Sequence, residues 1–265
     1  MNVAGKVCVL TGASSGIGRQ TALDLAQAGA TLCVAARREP ELQSLVDEIG
    51  GTGAGHSYVV CDVSDRAQVR AVADHVESTY GRCDALINNA GFSTGDRPFS
   101  GDDDIEDLHA TMATNFFGTA YCTAALLPLL ERSAPSHVVN VASVAGRLAL
   151  ASSSAYCASK FAVVGWSESL HFDLAPKGIT VSLIEPGPIP TEGFPQTALL
   201  GSSLLRFAVG STADVSKAIR NAIEHNRMQR VVPRWYYALQ IPRLVAPPSI
   251  APCRTGSSRT SLAKG

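Results

Sequence analysis

The chain has 265 residues, 46% of them apolar and 17% charged, with a formal net charge of −1. Such a composition excludes a disordered or fibrous chain, and a domain of this size can bury roughly three quarters of its unfolded surface. A near-neutral balance lacks the basic field that a phosphate backbone requires, which excludes nucleic acid as the main partner.

Strand-like and helix-like stretches alternate along the chain. Lys6–Thr11 is a short β-branched run that stops at Gly12, and Gly16–Gly29 follows with helical periodicity and a glycine end. Thr31–Ala36 reads as a second strand, Glu41–Ile49 as a helix, Ser57–Cys61 as a third strand, Asp65–Tyr80 as a helix closed by Gly81, and Ala85–Asn88 as a fourth strand. Asp104–Leu130 is a long helical stretch interrupted near Gly118, followed by a strand at His137–Ala142, a helix at Ser154–Ala175 and a strand at Ile179–Ile184. Pro186–Gly210 is rich in Pro, Gly, Ser and Thr and reads as a loop with a helical piece. Asp214–Asn226 is a helix and Arg230–Val232 a last strand. Strands that are apolar throughout, alternating with helices, predict an α/β fold: a doubly wound parallel sheet of about seven strands, flanked by helices, in one domain over 1–253. The polar tail 254–265 is expected to be disordered.

Seven cysteines (Cys8, Cys33, Cys61, Cys83, Cys122, Cys157 and Cys253) are scattered without a CxxC pair, which predicts buried reduced thiols and a cytoplasmic location. Met1–Lys6 leads straight into a strand, so no signal peptide is expected, and no apolar run approaches the ~20 residues that span a bilayer. The six histidines form no HxH or HxxxH pair. Asp102-Asp103-Asp104 precedes a helix and suits its N-terminus better than a metal, so no metal site is predicted.

The turn between the first strand and first helix reads Thr11-Gly12-Ala13-Ser14-Ser15-Gly16-Ile17-Gly18. Glycines there let the backbone approach a pyrophosphate, and the following helix supplies free N–H groups and a positive dipole end. An acid at the end of the second strand would hold a ribose 2′-hydroxyl; Ala36-Arg37-Arg38 stands there instead. Arg37 can pair with a 2′-phosphate, which favours NADP(H); the alternative is that Arg37 and Arg38 are solvated surface charges. Asp62, just after the third strand, suits either an adenine amino group or a helix cap.

Tyr156-Cys157-Ala158-Ser159-Lys160 lies in a predicted helix, where residues four apart share a face. Ser143 follows the fifth strand at its carboxyl end, where open parallel sheets bind ligands. Hydride transfer to a carbonyl leaves an alkoxide that needs a proton. A phenol can donate it, an ammonium nearby pulls the phenol's pKa of about 10 toward neutrality, and a serine hydroxyl can hold the substrate oxygen. Cys157 points away by the ~100° helical step. Trp166, Phe161 and Phe172 fall at helical spacing and suit the core or a subunit contact.

Together, Thr11–Gly18, Asp62, Asn88-Asn89-Ala90-Gly91, Asn115, Ser143, Tyr156, Lys160 and Pro186-Gly187 with Thr191 resemble the short-chain dehydrogenase/reductase family in order and spacing. The resemblance implies Tyr156 as general acid/base and Lys160 on the nicotinamide ribose, lowering the pKa of Tyr156. It implies Ser143 orienting the substrate and Asn115 at a helix kink, holding a water in a proton relay. The dinucleotide is expected against Gly12, Ser14, Ser15, Gly16, Ile17 and Gly18, and against Arg37, Arg38, Asp62 and Val63. Asn89, Ala90 and Gly91 continue its wall, and Pro186, Gly187, Ile189 and Thr191 its carboxamide end. The implied activity is an NADP(H)-dependent oxidoreductase interconverting an alcohol and a ketone or aldehyde, in a homodimer or homotetramer. A non-catalytic NADP(H)-binding sensor or scaffold is the alternative; retention of all four site residues argues against it. The loop 188–211 and the segment 233–253 are expected to form the pocket. Their apolar residues (Phe194, Leu199-Leu200, Leu204-Leu205, Phe207, Trp235-Tyr236-Tyr237, Leu239) suggest a bulky steroid-, retinoid- or fatty-acyl-like carbonyl substrate or, equally, a packing role.

Overall fold

Seven apolar runs form the strands of one parallel sheet, and the helical runs between them cover both faces. The computed structural model describes residues 1–95, 97–192 and 209–238. The first half comprises β1 (Val7–Thr11), α1 (Gly16–Gln27), β2 (Thr31–Ala36), α2 (Glu39–Glu48), β3 (Ser57–Val60), α3 (Arg66–Tyr80) and β4 (Ala85–Asn88). The second comprises α4 (Asp103–Met112), α5 (Gly118–Arg132), β5 (Ser136–Val141), α6 (Ser154–Leu174), β6 (Ile179–Pro186), α7 (Thr212–His225) and β7 (Gln229–Val232). The strand order is β3-β2-β1-β4-β5-β6-β7. The chain builds outward from β1 to β3, then returns to place β4 on the other side of β1. The carboxyl ends of β1 and β4 therefore flank a switch point, the ligand-binding crevice of a doubly wound Rossmann sheet.

Burial on both faces explains why the strands carry little polar alternation. Cys8 and Leu10 of β1 join Leu32 and Val34 of β2 in a core layer with Leu25 of α1, Leu42 of α2 and Ile219 of α7. The intervening Val9, Cys33 and Ala35 face the opposite layer, with Val69 and Val72 of α3 and Leu126 and Leu129 of α5. Helix ends follow local chemistry. The Asp65 side chain accepts from the N–H groups of Ala67 and Gln68 to start α3, and Gly81 ends it in the left-handed region at φ 65°. Helix α2 starts two residues earlier than its periodicity predicts because Pro40 is suited to a first turn. Helix α7 starts at Thr212 because Ser211 and Asp214 form a reciprocal capping box.

The long helical stretch departs from regular α-helix directly before Gly118, as expected, without breaking. Helices α4 and α5 are continuous through a π-turn at Ala113–Phe117. Gly118 answers to packing: a Cβ there would lie 2.6 Å from Cγ2 of Val63. The run Asp104–Arg132 contains an 18-residue window of mean hydropathy 1.2, apolar enough by length and composition to cross a membrane, which departs from the reading of the sequence. In the fold it packs against α3 and α6 and buries Asn115, Thr119 and Thr123. Residues 193–208 of the expected pocket loop, residues 239–253 of the C-terminal segment and the tail 254–265 lie outside the described residues.

The amino ends of β1 and β4 are pinned by Asp84, whose side chain is fully buried. Its carboxylate accepts from Val7 N–H at 2.9 Å and Arg82 Nε at 2.8 Å, and pairs with Lys6 Nζ at 3.3 Å. Burial alone would raise this carboxyl, but the Arg82, Val7 and Lys6 bonds outweigh it and hold it below the ordinary range. A lowered folded-state pKa stabilises the protein above the unfolded pKa of about 4, and that contribution is lost as pH falls from there through the lower folded-state value. Asp84→Asn is expected to lose ~1.5–3 kcal/mol in urea unfolding at neutral pH, the range for charged hydrogen bonds. The gap between variant and wild type should narrow below pH ~4; a gap independent of pH would refute the role of the charge.

Candidate active site

The turn after β1 is built against the end of β4. Thr11 Oγ1 accepts from the backbone N–H groups of Asn89 and Ala90, each at 3.1 Å. Asn89 Nδ2 returns two bonds, to Thr11 O at 3.0 Å and Gly12 O at 3.2 Å. This closeness dictates the glycines. Gly12 has φ +66°, and a Cβ on it would lie 2.7 Å from Ala90 Cα. A Cβ on Gly18 would lie 2.2 Å from Gly12 O. Gly16, at φ +56°, faces the Thr191 methyl, 2.9 Å from where its Cβ would stand. Ser15 occupies the N-cap of α1 without capping it, and no acid stands in the first turn. The glycine-lined cradle and the uncompensated N–H groups of α1 fit the pyrophosphate of a dinucleotide.

The second half of the site gathers at the ends of β4, β5 and β6. Ser143 follows β5; its Oγ donates to Pro186 O at 3.3 Å, accepts from Ala145 N–H at 3.1 Å and shares a hydrogen bond with Tyr156. Tyr156 and Lys160 lie one turn apart on α6, with Lys160 Nζ 5.7 Å from the Tyr156 ring centroid. Lys160 is buried and donates to Val141 O at 3.0 Å. Burial pushes the Tyr156 phenol up to about 12, against the Ser143 bond, and the Lys160 ammonium down to about 8. The shift of Tyr156 runs opposite to the lowering expected from a neighbouring ammonium, and burial is its largest cause. Asn115 sits within the π-turn, where the kink was anticipated. Its Oδ1 accepts from Phe92 N–H at 2.9 Å, and its Nδ2 donates to Phe92 O at 3.0 Å and Ser159 Oγ at 2.9 Å. A Cβ on Gly91 would lie 3.2 Å from Asn115 Oδ1 and 3.4 Å from Lys160 Nζ, so Gly91, Asn115 and Lys160 converge.

A family model for short chain dehydrogenases matches residues 6–198. The chain belongs to the short-chain dehydrogenase/reductase family. It is 39% identical over 189 residues to an uncharacterized oxidoreductase of Bacillus subtilis, covering 70% of this chain and only 52% of that one. It is 36% identical over 226 residues to a 3-oxoacyl-(acyl-carrier-protein) reductase of Thermotoga maritima, covering 83% and 90%. A family member from Burkholderia phymatum, solved in complex with NAD, superposes with a TM-score of 0.81 at 31% identity, covering 92% of this chain and 95% of that one. Members of the family are oxidoreductases that use a nicotinamide dinucleotide.

The remaining predicted residues of this oxidoreductase take varied positions. Asp62 Oδ1 accepts from the N–H and hydroxyl of Ser64 at 2.9 and 2.7 Å, closing a turn, while Asp65 is the helix cap. Val63 is buried against Gly118. Gly187 donates its N–H to Val232 O at 2.7 Å, and Ile189 is buried in the core. Arg37 is exposed and makes no side-chain hydrogen bond or ion pair among the described residues. Arg38 is held, bonding Ser14 Oγ and both carboxylate oxygens of Glu192. Cys157 is buried and turned toward Leu150, whose N–H meets its Sγ at 3.3 Å. Asp104, in the first turn of α4, accepts from Gly101 N–H and the Ser100 hydroxyl and pairs with Arg97 at 2.7 Å, while Asp102 occupies the N-cap without a capping bond.

Several contacts escaped the sequence. Ser159 links Asn115 to Tyr156, donating its hydroxyl to Tyr156 O at 2.8 Å. The Tyr236 ring covers Gly187, where a Cβ would lie 2.8 Å from Cε2. Glu192 meets Arg38 from 154 residues away. The Trp-Tyr-Tyr run marked Tyr236 as notable; nothing in the spacing marked Ser159 or Glu192.

Proposed function

We propose that this oxidoreductase interconverts an alcohol and a ketone or aldehyde using NADP(H), with Tyr156 as general acid/base. The observation that carries the reading is the convergence of Ser143, Tyr156 and Lys160 at the carboxyl end of the sheet, beside the glycine cradle. The bound nicotinamide supplies or accepts the hydride. Ser143 orients the substrate oxygen, and the Tyr156 hydroxyl delivers its proton to the developing alkoxide. As a phenol, Tyr156 holds that proton at neutral pH and can give it up to the alkoxide as charge develops there. Lys160 holds the ribose and lends its charge to the phenolate left behind. Asn115, clamped on Phe92 and Ser159, sits where a proton relay would leave the site.

The absent acid at Ala36 and the exposed Arg37 favour NADP(H) over NAD(H). The cleft beside Tyr156 is lined by the polar Thr94, Ser152 and Ser153 and by the charged Arg97, Asp104 and Asp107. That lining suits a polar end on a bulky steroid-, retinoid- or fatty-acyl-like carbonyl substrate, the class that the apolar residues of the sequence suggest. Six described cysteines, all free and buried, fit a reducing compartment such as the cytoplasm. Phe172 of α6 is 71% exposed and Phe117, beside the start of α5, 44%, which supports a homodimer or homotetramer through these helices.

Tyr156→Phe is expected to lower single-turnover NADPH oxidation with an accepted ketone by ~10²–10⁴-fold while keeping NADPH affinity. Retention of more than about a tenth of the wild-type rate would remove Tyr156 as the donor. The wild-type rate of reduction should fall as pH rises through about 8, where Lys160 loses its charge; a profile flat through that region would take Lys160 out of the mechanism. Fluorescence titration should give tighter binding of NADPH than NADH, and Ala36→Asp should shift the balance toward NADH; equal or reversed wild-type affinities would overturn the NADP(H) reading. Light scattering should report a multiple of the 27.7 kDa chain mass, and a monomer at micromolar concentration would refute the assembly.

A further inference from the structure

Arg38 closes the adenosine end of the cleft on a carboxylate of its own chain. Its Nη1 and Nη2 donate to the two oxygens of Glu192, each at 3.0 Å, a fork-on-fork pair. Nη2 and Nε also reach Ser14 Oγ at 3.2 and 3.4 Å, and Ser15 bonds Glu192. Glu41 stands 3.5 Å from Nη1. Glu192 comes from the opposite wall: it follows Thr191, whose methyl packs on Gly16 of the cradle. The pair therefore bridges the end of β2 and the strap after β6, the two walls between which an adenosine ribose must lie.

A carboxylate and a phosphate monoester offer a guanidinium the same paired oxygens. We propose that Glu192 is a specificity-determining residue: it competes with the 2′-phosphate of NADP(H) for Arg38. The inference rests on the NADP(H) reading above. A dinucleotide bearing a 2′-hydroxyl leaves the Arg38–Glu192 pair in place. One bearing a 2′-phosphate must displace Glu192 to engage Arg38. Glu192 therefore weakens NADP(H) binding selectively and narrows the preference that two consecutive arginines would otherwise confer. Arg38 holds the Glu192 carboxyl below its usual range, so the competitor stays charged across the neutral region.

The test is a set of dissociation constants for NADPH, NADH, 2′,5′-ADP and 5′-ADP, measured at low ionic strength because exposed pairs are screened by salt. The proteins are full-length wild type, Glu192→Gln, Arg38→Gln and the double variant. Glu192 is exposed, so its substitution leaves the core untouched, and Glu192→Ser repeats the test with a shorter side chain. Glu192→Gln is expected to tighten NADPH and 2′,5′-ADP about two- to fivefold, the weight of an exposed ion pair, with NADH and 5′-ADP unchanged. In the Arg38→Gln background the gain should vanish. No gain for the 2′-phosphorylated ligands, an equal gain for all four ligands, or a gain that survives loss of Arg38 would each overturn the proposal. The wild-type ratio of NADPH to NADH affinity decides the cofactor reading separately: a wild type that prefers NADH, yet gains NADPH affinity selectively on Glu192→Gln, would sink that reading and leave this one standing.

Discussion

The site depends on one hydroxyl. Thr11 Oγ1, at the last residue of β1, accepts two consecutive backbone N–H groups from the segment leaving β4. Those groups emerge from a strand end and would otherwise be orphaned in a partly buried crevice, at a cost comparable to a lost hydrogen bond each. Satisfying them brings β4's exit within van der Waals reach of the β1 turn, which is why Gly12 and Gly18 tolerate no side chain. Three residues beyond Asn88, Gly91 touches Asn115 and Lys160. The nucleotide cradle and the proton-handling side chains are thus held in one frame by a short stretch of backbone.

A second tie fixes the other end of that frame. Arg147, just past the turn that carries Ser143, donates through Nε to the fully buried Glu185 of β6 at 2.7 Å and through Nη2 to Glu168 of α6 at 2.5 Å. Gln229 of β7 also bonds Glu185. One guanidinium thereby joins the turn bearing Ser143, the strand leading to Pro186 and the helix bearing Tyr156 and Lys160. Removing Arg147 would leave the buried Glu185 carboxylate without its counter-charge, which generally costs more than the pair itself contributes.

The architecture was legible because its causes are local. Strands buried on both faces read as apolar runs, and helix limits follow from Asp65, Gly81 and the Ser211–Asp214 box. The glycine cradle and the Tyr156–Lys160 pair were legible because their chemistry has a spacing. What stayed hidden depends on residues far apart in sequence: Arg38 with Glu192, Tyr236 on Gly187, Asn115 on Phe92. Gly118 stands directly after the π-turn, and what the sequence does not show is that it admits Val63. Burial, which no motif reveals, raises the Tyr156 phenol.

The π-turn at Ala113–Phe117 has a consequence for the geometry of the whole rod. A regular helix advances ~100° per residue, so one extra residue in a turn shifts the phase of everything after it by about that much. Helix α4 packs on α6 while α5 packs on α3, two neighbours on different sides. An unshifted rod would present both halves of its apolar stripe in the same direction and serve only one of them. The inserted residue acts as a phase shifter: it lets a single continuous helix dock two partners and turns Asn115 inward at the junction, at the expense of a locally looser hydrogen-bond ladder beside the chemistry.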